Sequence, residues 1–174
     1  MTSALDQLIS LIPPGRPASP HPDWSIVERN LGAGLPEDYK HLVNVYGPGT
    51  FDGFLWVLQP MPGNKQLDLV AKRDTMLNTL RTLADDGEVM PHPPDRLLPW
   101  AATNDGDICF WLRDPPDEPD KWSVVANESR GPIWEEFAGS ATEFLLALMS
   151  GSLHTPVFPD DFPSEQPSFN PHTG

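Results

Sequence analysis

The fold is decided by the stretch LLPWAATNDGDICFWL, residues 97–112. Two apolar runs, 97–102 and 108–112, flank the sequence Asn-Asp-Gly-Asp at 104–107. Asn, Asp and Gly tolerate a positive φ, so this short polar segment is typical of a tight turn between antiparallel strands. The pattern predicts a β-hairpin and makes it the centre of a largely antiparallel sheet.

The segments on both sides of this hairpin extend the predicted sheet. Downstream, residues 122–126 and 133–137 are apolar runs separated by a turn at 127–131, so they are predicted as two more strands. Upstream, residues 51–58 are rich in aromatic and aliphatic side chains and end before Pro60, which indicates one further strand.

Helical periodicity occurs before, between and after these strands. Apolar residues recur at helical spacing in five segments, and each segment has a capping or breaking residue at one end or both. The predicted helices and their markers are Leu5, Leu8, Ile9 and Ile12 after a Thr2 or Ser3 cap; Trp24, Val27 and Leu31 between Asp23 and Gly32; Tyr39, Leu42, Val43 and Tyr46 after Pro36; residues 66–85, with Leu77, Leu80 and Leu83 on the apolar stripe; and Phe144, Leu145, Leu148 and Met149 after a Ser140–Glu143 capping box. These elements predict a single α+β domain with helices packed against the sheet.

The prolines divide the chain into three parts. Residues 1–21 read as a helix followed by a proline-rich linker, and residues 22–152 contain the predicted sheet and its helices. Residues 153–174 are acidic and rich in proline, a composition typical of disordered segments. We therefore predict one folded domain with an unstructured tail that adds little stability.

The charge of the chain limits the partners it can bind. The 174 residues carry 11 basic and 25 acidic side chains, a net charge of −14. Residues 101–174 alone hold 13 acids against 3 bases. Such a field repels nucleic acid and anionic membranes and attracts basic proteins. The alternative interpretation is that the acidity only keeps the protein soluble.

The remaining residue types favour a cytoplasmic protein without a cofactor. The lone cysteine, Cys109, excludes an internal disulfide and lies in an apolar run, as a core residue does. The first residues have no basic start, and their apolar stretch ends at Pro13, so a signal peptide is not predicted. No stretch reaches the length of a membrane span.

The sequence contains no recognisable catalytic motif. Phosphate-binding glycine loops, nucleophile elbows and paired-histidine helix motifs are absent, and the five histidines are scattered. Asp105 and Asp107 are compatible with a carboxylate pair, but a hairpin turn explains both residues. Glu135 and Glu136 are adjacent in a predicted strand and therefore point to opposite faces. We expect no enzyme and no metal site; the alternative is an unrecognised hydrolase that uses Asp105, Asp107 or Glu136.

A series of short motifs runs through roughly residues 22–152. They are Trp24–Glu28, Leu31-Gly32, Leu35–Lys40, Tyr46–Gly49, Phe54-Leu55, Leu98–Ala101, Asp105–Asp107 with Phe110-Trp111, Asp120–Trp122 with Val124-Val125, and Phe144-Leu145. The order of these motifs resembles the SUKH superfamily, which includes fungal cell-wall-assembly regulators and many bacterial toxin-immunity proteins.

The resemblance implies an α+β binding scaffold, most often one that neutralises a cognate toxin such as a nuclease. The alternative within the same fold is a regulatory adaptor with a cellular protein partner. Nucleases hold phosphates in basic clefts, so an acidic inhibitor suits such a partner.

Acidic residues of the second half are the predicted partner-binding residues. They are Asp114, Asp117, Glu118, Asp120, Glu135 and Glu136, together with Trp134. Trp134 follows a Gly-Pro turn and is a candidate exposed anchor, although burial at a sheet edge is the alternative for this side chain. The other five tryptophans lie within apolar patterns and are predicted to pack in the core.

Overall fold

The computed structural model describes residues 1–15, 20–129 and 131–173. In these residues the chain forms five α-helices, seven β-strands and two short 3₁₀ helices, Pro94–Arg96 and Pro119–Lys121. The α-helices and strands, in chain order, are α1 (Ala4–Leu11), α2 (Trp24–Leu31), α3 (Glu37–Tyr46), β1 (Gly49–Phe51), β2 (Leu55–Val57), α4 (Leu69–Asp85), β3 (Leu97–Thr103), β4 (Ile108–Leu112), β5 (Ser123–Asn127), β6 (Trp134–Phe137), α5 (Ala141–Met149) and β7 (Phe169–Pro171).

The strands form one antiparallel sheet in the order β6-β5-β4-β3-β2-β1-β7. The predicted hairpin is its centre, with Leu98 opposite Trp111 and Ala102 opposite Ile108. The register shifts between Pro99 and Ala101. Proline has no N–H to donate to a ladder, so a bulge beside it is the expected irregularity. The α+β single-domain prediction is confirmed.

Both faces of the sheet are covered. On the first face, the Trp111 ring lies 4.9 Å from Tyr39 of α3, and the Phe137 ring lies 5.5 Å from Phe144 of α5. The second face carries Phe110 of β4, and α4 packs against β3. Because both faces are buried, β3 and β4 are nearly continuous apolar runs, unlike the alternating pattern of a half-exposed strand.

Most of the predicted helix termini are confirmed. Ser3 caps α1, Asp23 caps α2, Gly32 ends α2 in the left-handed conformation, and Ser140 and Glu143 form the capping box of α5. Helix α3 differs, because Pro36 occupies the cap position and Glu37 is the first helical residue. A proline side chain accepts no hydrogen bond, so the cap of α3 must come from elsewhere in the chain.

The single strand predicted for residues 51–58 is wrong, because two strands occupy this segment. Asp52 and Gly53 have φ values of 56° and 66° and turn the chain between β1 and β2. Asp-Gly is a favoured pair for the tight hairpin turn in which both central residues have positive φ. Because aromatic residues flank this dipeptide, the sequence pattern indicated one continuous strand.

The long helix is shorter and more exposed than predicted. Helix α4 begins at Leu69, where the Asp68 carboxylate accepts the N–H of Ala71 at 3.0 Å. Leu69 and Leu80 are the buried residues of the predicted stripe, whereas Leu83 is 38% exposed. The C-terminal turns of α4 therefore extend past the covered part of the sheet.

The structure contradicts the prediction of an unstructured tail. Phe158 and Phe169 are buried, and β7 pairs with the outer edge of β1. Asp52 N–H donates to the Ser168 carbonyl at 2.6 Å, and His172 N–H donates to the Pro48 carbonyl at 2.8 Å. Composition alone missed this docking because the few aromatic residues of the tail supply its apolar area, while β1 offers free backbone groups.

The N-terminal helix also belongs to the main core. Leu8 and Ile12 are buried, and the Tyr46 hydroxyl donates a hydrogen bond to the Ile12 carbonyl at 2.7 Å. The proline-rich connector predicted after this helix falls partly on residues 16–19, which lie outside the described residues.

Candidate protein-binding surface

The acidic loop between β4 and β5, residues 113–122, carries four of the predicted binding residues. Asp114, Asp117 and Glu118 are exposed. The Asp114 carboxylate lies 3.7 Å from the Arg96 guanidinium, and Glu118 pairs with Lys121. Within the described part of the chain, the Asp117 carboxylate makes no hydrogen bond or ion pair. Asp117 is therefore exposed and unpaired within the described residues.

Asp120 is exposed but also has a structural contact. Its carboxylate accepts a hydrogen bond from the backbone N–H of Glu37 at 2.8 Å, which supplies the missing cap of α3. Trp122, the next apolar residue, is buried and donates its indole N–H to the Pro115 carbonyl at 2.7 Å. The first contact connects the acidic loop to α3, and the second stabilises the loop internally.

The predicted residues of β6 divide between the two faces of the sheet. Trp134 is half-buried, and its ring stacks on Phe110 at 6.1 Å with a 25° tilt. Because strand side chains alternate, Glu136 shares the Trp134 face and Glu135 points to the other face. Glu136 forms an ion pair with His92 from the loop that follows α4.

The acidic loop and Trp134 lie at opposite ends of the sheet. Phe137 pairs with Val124 near the loop, whereas Trp134 pairs with Asn127 at the far end of β5. Five residues of extended chain span about 13 Å from first to last. The structure therefore does not bring the predicted residues together into one site.

Two open cavities lie at the Trp134 end, and the predicted residues do not include most of their lining. We call the first, about 340 Å³, the Trp134 groove. The second, about 520 Å³, is the Asp105 cavity. They share Glu128 and Ser129. The Trp134 groove is lined by Leu83, Glu88, Val89, Met90, Asn127, Glu128, Ser129, Gly131, Pro132 and Trp134. The Asp105 cavity is lined by Asn104, Asp105, Asp107, Glu128, Ser129 and residues 156–159 of the tail.

A sequence signal for the Trp134 groove existed but was not used. Val89 is an aliphatic residue between Glu88 and Met90, directly after the Asp-Asp-Gly break that ends the long helix. An aliphatic side chain in a proline-rich loop has no helix or strand to bury it. Such a residue is either covered by a neighbouring element or left on the surface.

The residues of the Asp105 cavity have structural partners. Asp107 is buried, and its carboxylate accepts the Thr103 hydroxyl at 2.7 Å and the Ser129 N–H at 3.1 Å. These bonds hold the β3–β4 hairpin against the β5–β6 turn. Burial raises the pKa of the neighbouring Cys109 thiol, and nearby Asp107 raises it further, so this thiol is protonated at neutral pH.

Among residues 1–15, 20–129 and 131–173, no cluster of three or more His, Cys, Asp or Glu side chains is arranged to hold a metal ion. No helix in this part of the chain combines the length and apolar character that crossing a membrane requires.

Comparison with known families identifies the class to which this α+β domain belongs. Residues 22–145 match the family described as SUKH_6, SMI1-KNR4 cell-wall. The chain belongs to this family and thus to the SUKH superfamily. SUKH domains are generally non-catalytic immunity or regulatory domains. No curated protein and no solved structure matches the chain.

Proposed function

We propose that this protein is a cytoplasmic immunity protein that binds and neutralises a cognate bacterial toxin with a basic, nuclease-like surface. The proposal rests on membership of a family whose role is consistent with toxin immunity or related protein binding. The acidity of this chain then specifies the chemistry of the partner. No cofactor or metal takes part in the proposed function.

The observation that carries the basic-toxin proposal is the placement of the excess acid. The net charge is −14, and the loop between β4 and β5 projects exposed carboxylates from the end of a rigid sheet. Charge complementarity of this kind accelerates diffusional encounter and rejects partners of the same sign. A toxin that binds the phosphates of nucleic acid presents a basic surface complementary to these carboxylates.

The predicted binding residues take different roles in this proposal. Asp114, Asp117 and Glu118 steer the toxin toward the acidic loop, and Asp117 contributes most because no basic side chain of the described chain neutralises it. Asp120 holds the loop on α3 through its bond to Glu37.

Trp134, Glu135 and Glu136 act at the other end of the sheet. Trp134 provides a rigid aromatic contact. Glu135 is exposed and contributes long-range attraction, whereas the Glu136 carboxylate is already in contact with the His92 ring.

The experiment compares association rates of the purified protein with the product of the gene immediately upstream, which the proposal requires to be the toxin. We expect a Kd on the order of nanomolar and an association rate that falls as salt is added. Asp117→Lys slows association. Glu165→Lys is the matched control, because Glu165 is an exposed tail residue and the change in net charge is the same.

Three outcomes would contradict parts of this account. An association rate that does not depend on salt would show that electrostatic steering does not operate. Equal association rates for Asp117→Lys and Glu165→Lys would show that the steering surface lies outside the acidic loop. Tight binding to a cellular protein, with none to the toxin, would favour the regulatory adaptor.

A further inference from the structure

Exposed aliphatic side chains are concentrated at the Trp134 groove. Val89 is 91% exposed and Leu83 is 38% exposed, and both line this groove together with Met90 and Trp134. Leaving such apolar side chains in water is unfavourable. Contiguous exposed apolar surface of this kind marks interaction sites.

The aromatic wall of the groove is held in place. Trp134 stacks on Phe110, which is fully buried in the centre of the sheet, and its backbone is paired with Asn127. A side chain that is already ordered loses little conformational entropy when a partner packs against it. Trp134 is therefore suited to act as an anchor without rearrangement of the domain.

The charged lining of the groove has one sign. Of the lining residues in the described part of the chain, the charged ones are Glu88 and Glu128. The adjoining Asp105 cavity shares Glu128 and adds Asp105 and Asp107. Arg130 lies outside the described residues. The described lining of the groove thus combines apolar side chains with two carboxylates.

We propose that the Trp134 groove receives a segment of the toxin in which an exposed aliphatic or aromatic side chain stands next to a lysine or arginine. The apolar side chain packs between Val89 and Trp134, and the cation lies toward Glu88 and Glu128. This proposal rests on the proposed function and names the contact that holds the toxin after the acidic loop has steered it.

The two ends of the sheet then have separable kinetic roles. Charges outside the contact change mainly the association rate, whereas anchors packed in a desolvated contact change mainly the dissociation rate. A basic partner is also favoured over a second copy of the chain, because two chains of net charge −14 repel each other.

The test measures association and dissociation of the upstream gene product, as the toxin of the proposed function, with a set of variants. Val89→Lys puts a cation into the groove without disturbing the core, since Val89 is almost fully exposed. Ile26→Lys is the matched control, because Ile26 is also aliphatic, 49% exposed and located on α2 beside a different cavity. Trp134→Phe is a third variant that keeps an aromatic ring on Phe110.

We expect Val89→Lys to weaken binding by about tenfold or more through faster dissociation, and Ile26→Lys to bind as wild type. If both Val89→Lys and Trp134→Phe bind the toxin as tightly as wild type, the groove is not the toxin contact, and the proposed immunity function is unaffected. Self-association of the free protein that is abolished by Val89→Lys would assign the groove to a second copy and also overturn the proposal. Failure of the wild-type protein to bind the toxin would overturn both the groove assignment and the proposed function.

Discussion

The carboxylate of Asp120 and the backbone N–H of Glu37 form a 2.8 Å hydrogen bond between residues 83 positions apart in the sequence. Through this bond the acidic loop caps α3, whose own cap residue is Pro36. The same loop is therefore a part of the proposed binding surface and a support for a core helix. Binding and stability effects of its residues can be separated by comparing Asp120 with Asp117.

Asp120→Ala is expected to lower the free energy of unfolding by about 1 kcal/mol, the usual cost of removing a helix cap. Asp117→Ala removes the same charge without removing a hydrogen bond of the described chain, and it should unfold at the wild-type midpoint. Urea unfolding of both variants is the measurement. An equal loss of stability in the two variants would show that loop charge, and not the cap, stabilises α3.

Leu80→Ala is expected to cost about 2–5 kcal/mol, because the Leu80 side chain is 2% exposed and its removal leaves a cavity beneath α4. Leu83→Ala, on the same helix, should change stability by only about 0.5 kcal/mol because much of the side chain already contacts water. Denaturant unfolding checks the pair. Similar midpoints for both variants would mean that α4 does not pack as described.

Gly49→Ala is expected to detach the tail from the sheet. An added Cβ at Gly49 would lie 2.5 Å from the Asn170 carbonyl oxygen and 2.5 Å from the Phe169 ring, so β7 must move away. Gly34→Ala is the control, since its Cβ would meet Pro119 at an ordinary 3.5 Å. Limited proteolysis should cleave the tail of Gly49→Ala faster than that of wild type or Gly34→Ala. Equal protection in all three proteins would contradict the docking of β7.

Acid is expected to weaken the contact between α2 and α3 through Glu28. Burial by itself would raise the pKa of Glu28, but Lys40 at 2.6 Å and the Leu35 N–H at 2.9 Å outweigh it and hold this pKa below the ordinary 4.5. The unfolded chain therefore binds a proton more readily than the folded one. The stabilisation is complete above pH 4.5 and is lost as the pH falls through the lowered folded value.

Urea unfolding as a function of pH measures this effect in wild type, Glu28→Gln and Glu165→Gln. We expect Glu28→Gln to be less stable than wild type at neutral pH and to lose less stability on acidification. Glu165→Gln should follow the wild-type curve. If the stability of Glu28→Gln falls with pH as steeply as that of wild type, other carboxylates cause the acid dependence.

Much of the fold could be predicted from local signals. The turn at residues 104–107, the cap at Asp23 and the Ser140–Glu143 capping box each depend on residues close in sequence, and each is present in the structure. The β1–β2 turn was missed because Asp52 and Gly53 lie inside an aromatic run. The docked tail was missed because its stability depends on Phe169 meeting β1, a contact between distant residues that composition does not reveal.

The candidate site was less predictable because it also depends on contacts between residues that are distant in the sequence. Exposure of the acidic loop followed from its charge and prolines, but the bond from Asp120 to α3 joins residues far apart in sequence. The separation of Trp134 from the acidic loop follows from strand register, which pairs Trp134 with Asn127. Val89 and Glu128 are distant in the sequence and line one groove only in the folded chain.

The most direct test is titration of the toxic activity of the upstream gene product with the purified protein. That activity is expected to fall to the background level at one equivalent of the protein, with a larger excess needed for Val89→Lys and wild-type behaviour for Ile26→Lys. Toxin activity that is unchanged by an excess of correctly folded wild-type protein would contradict the central claim that this chain neutralises a toxin by binding it.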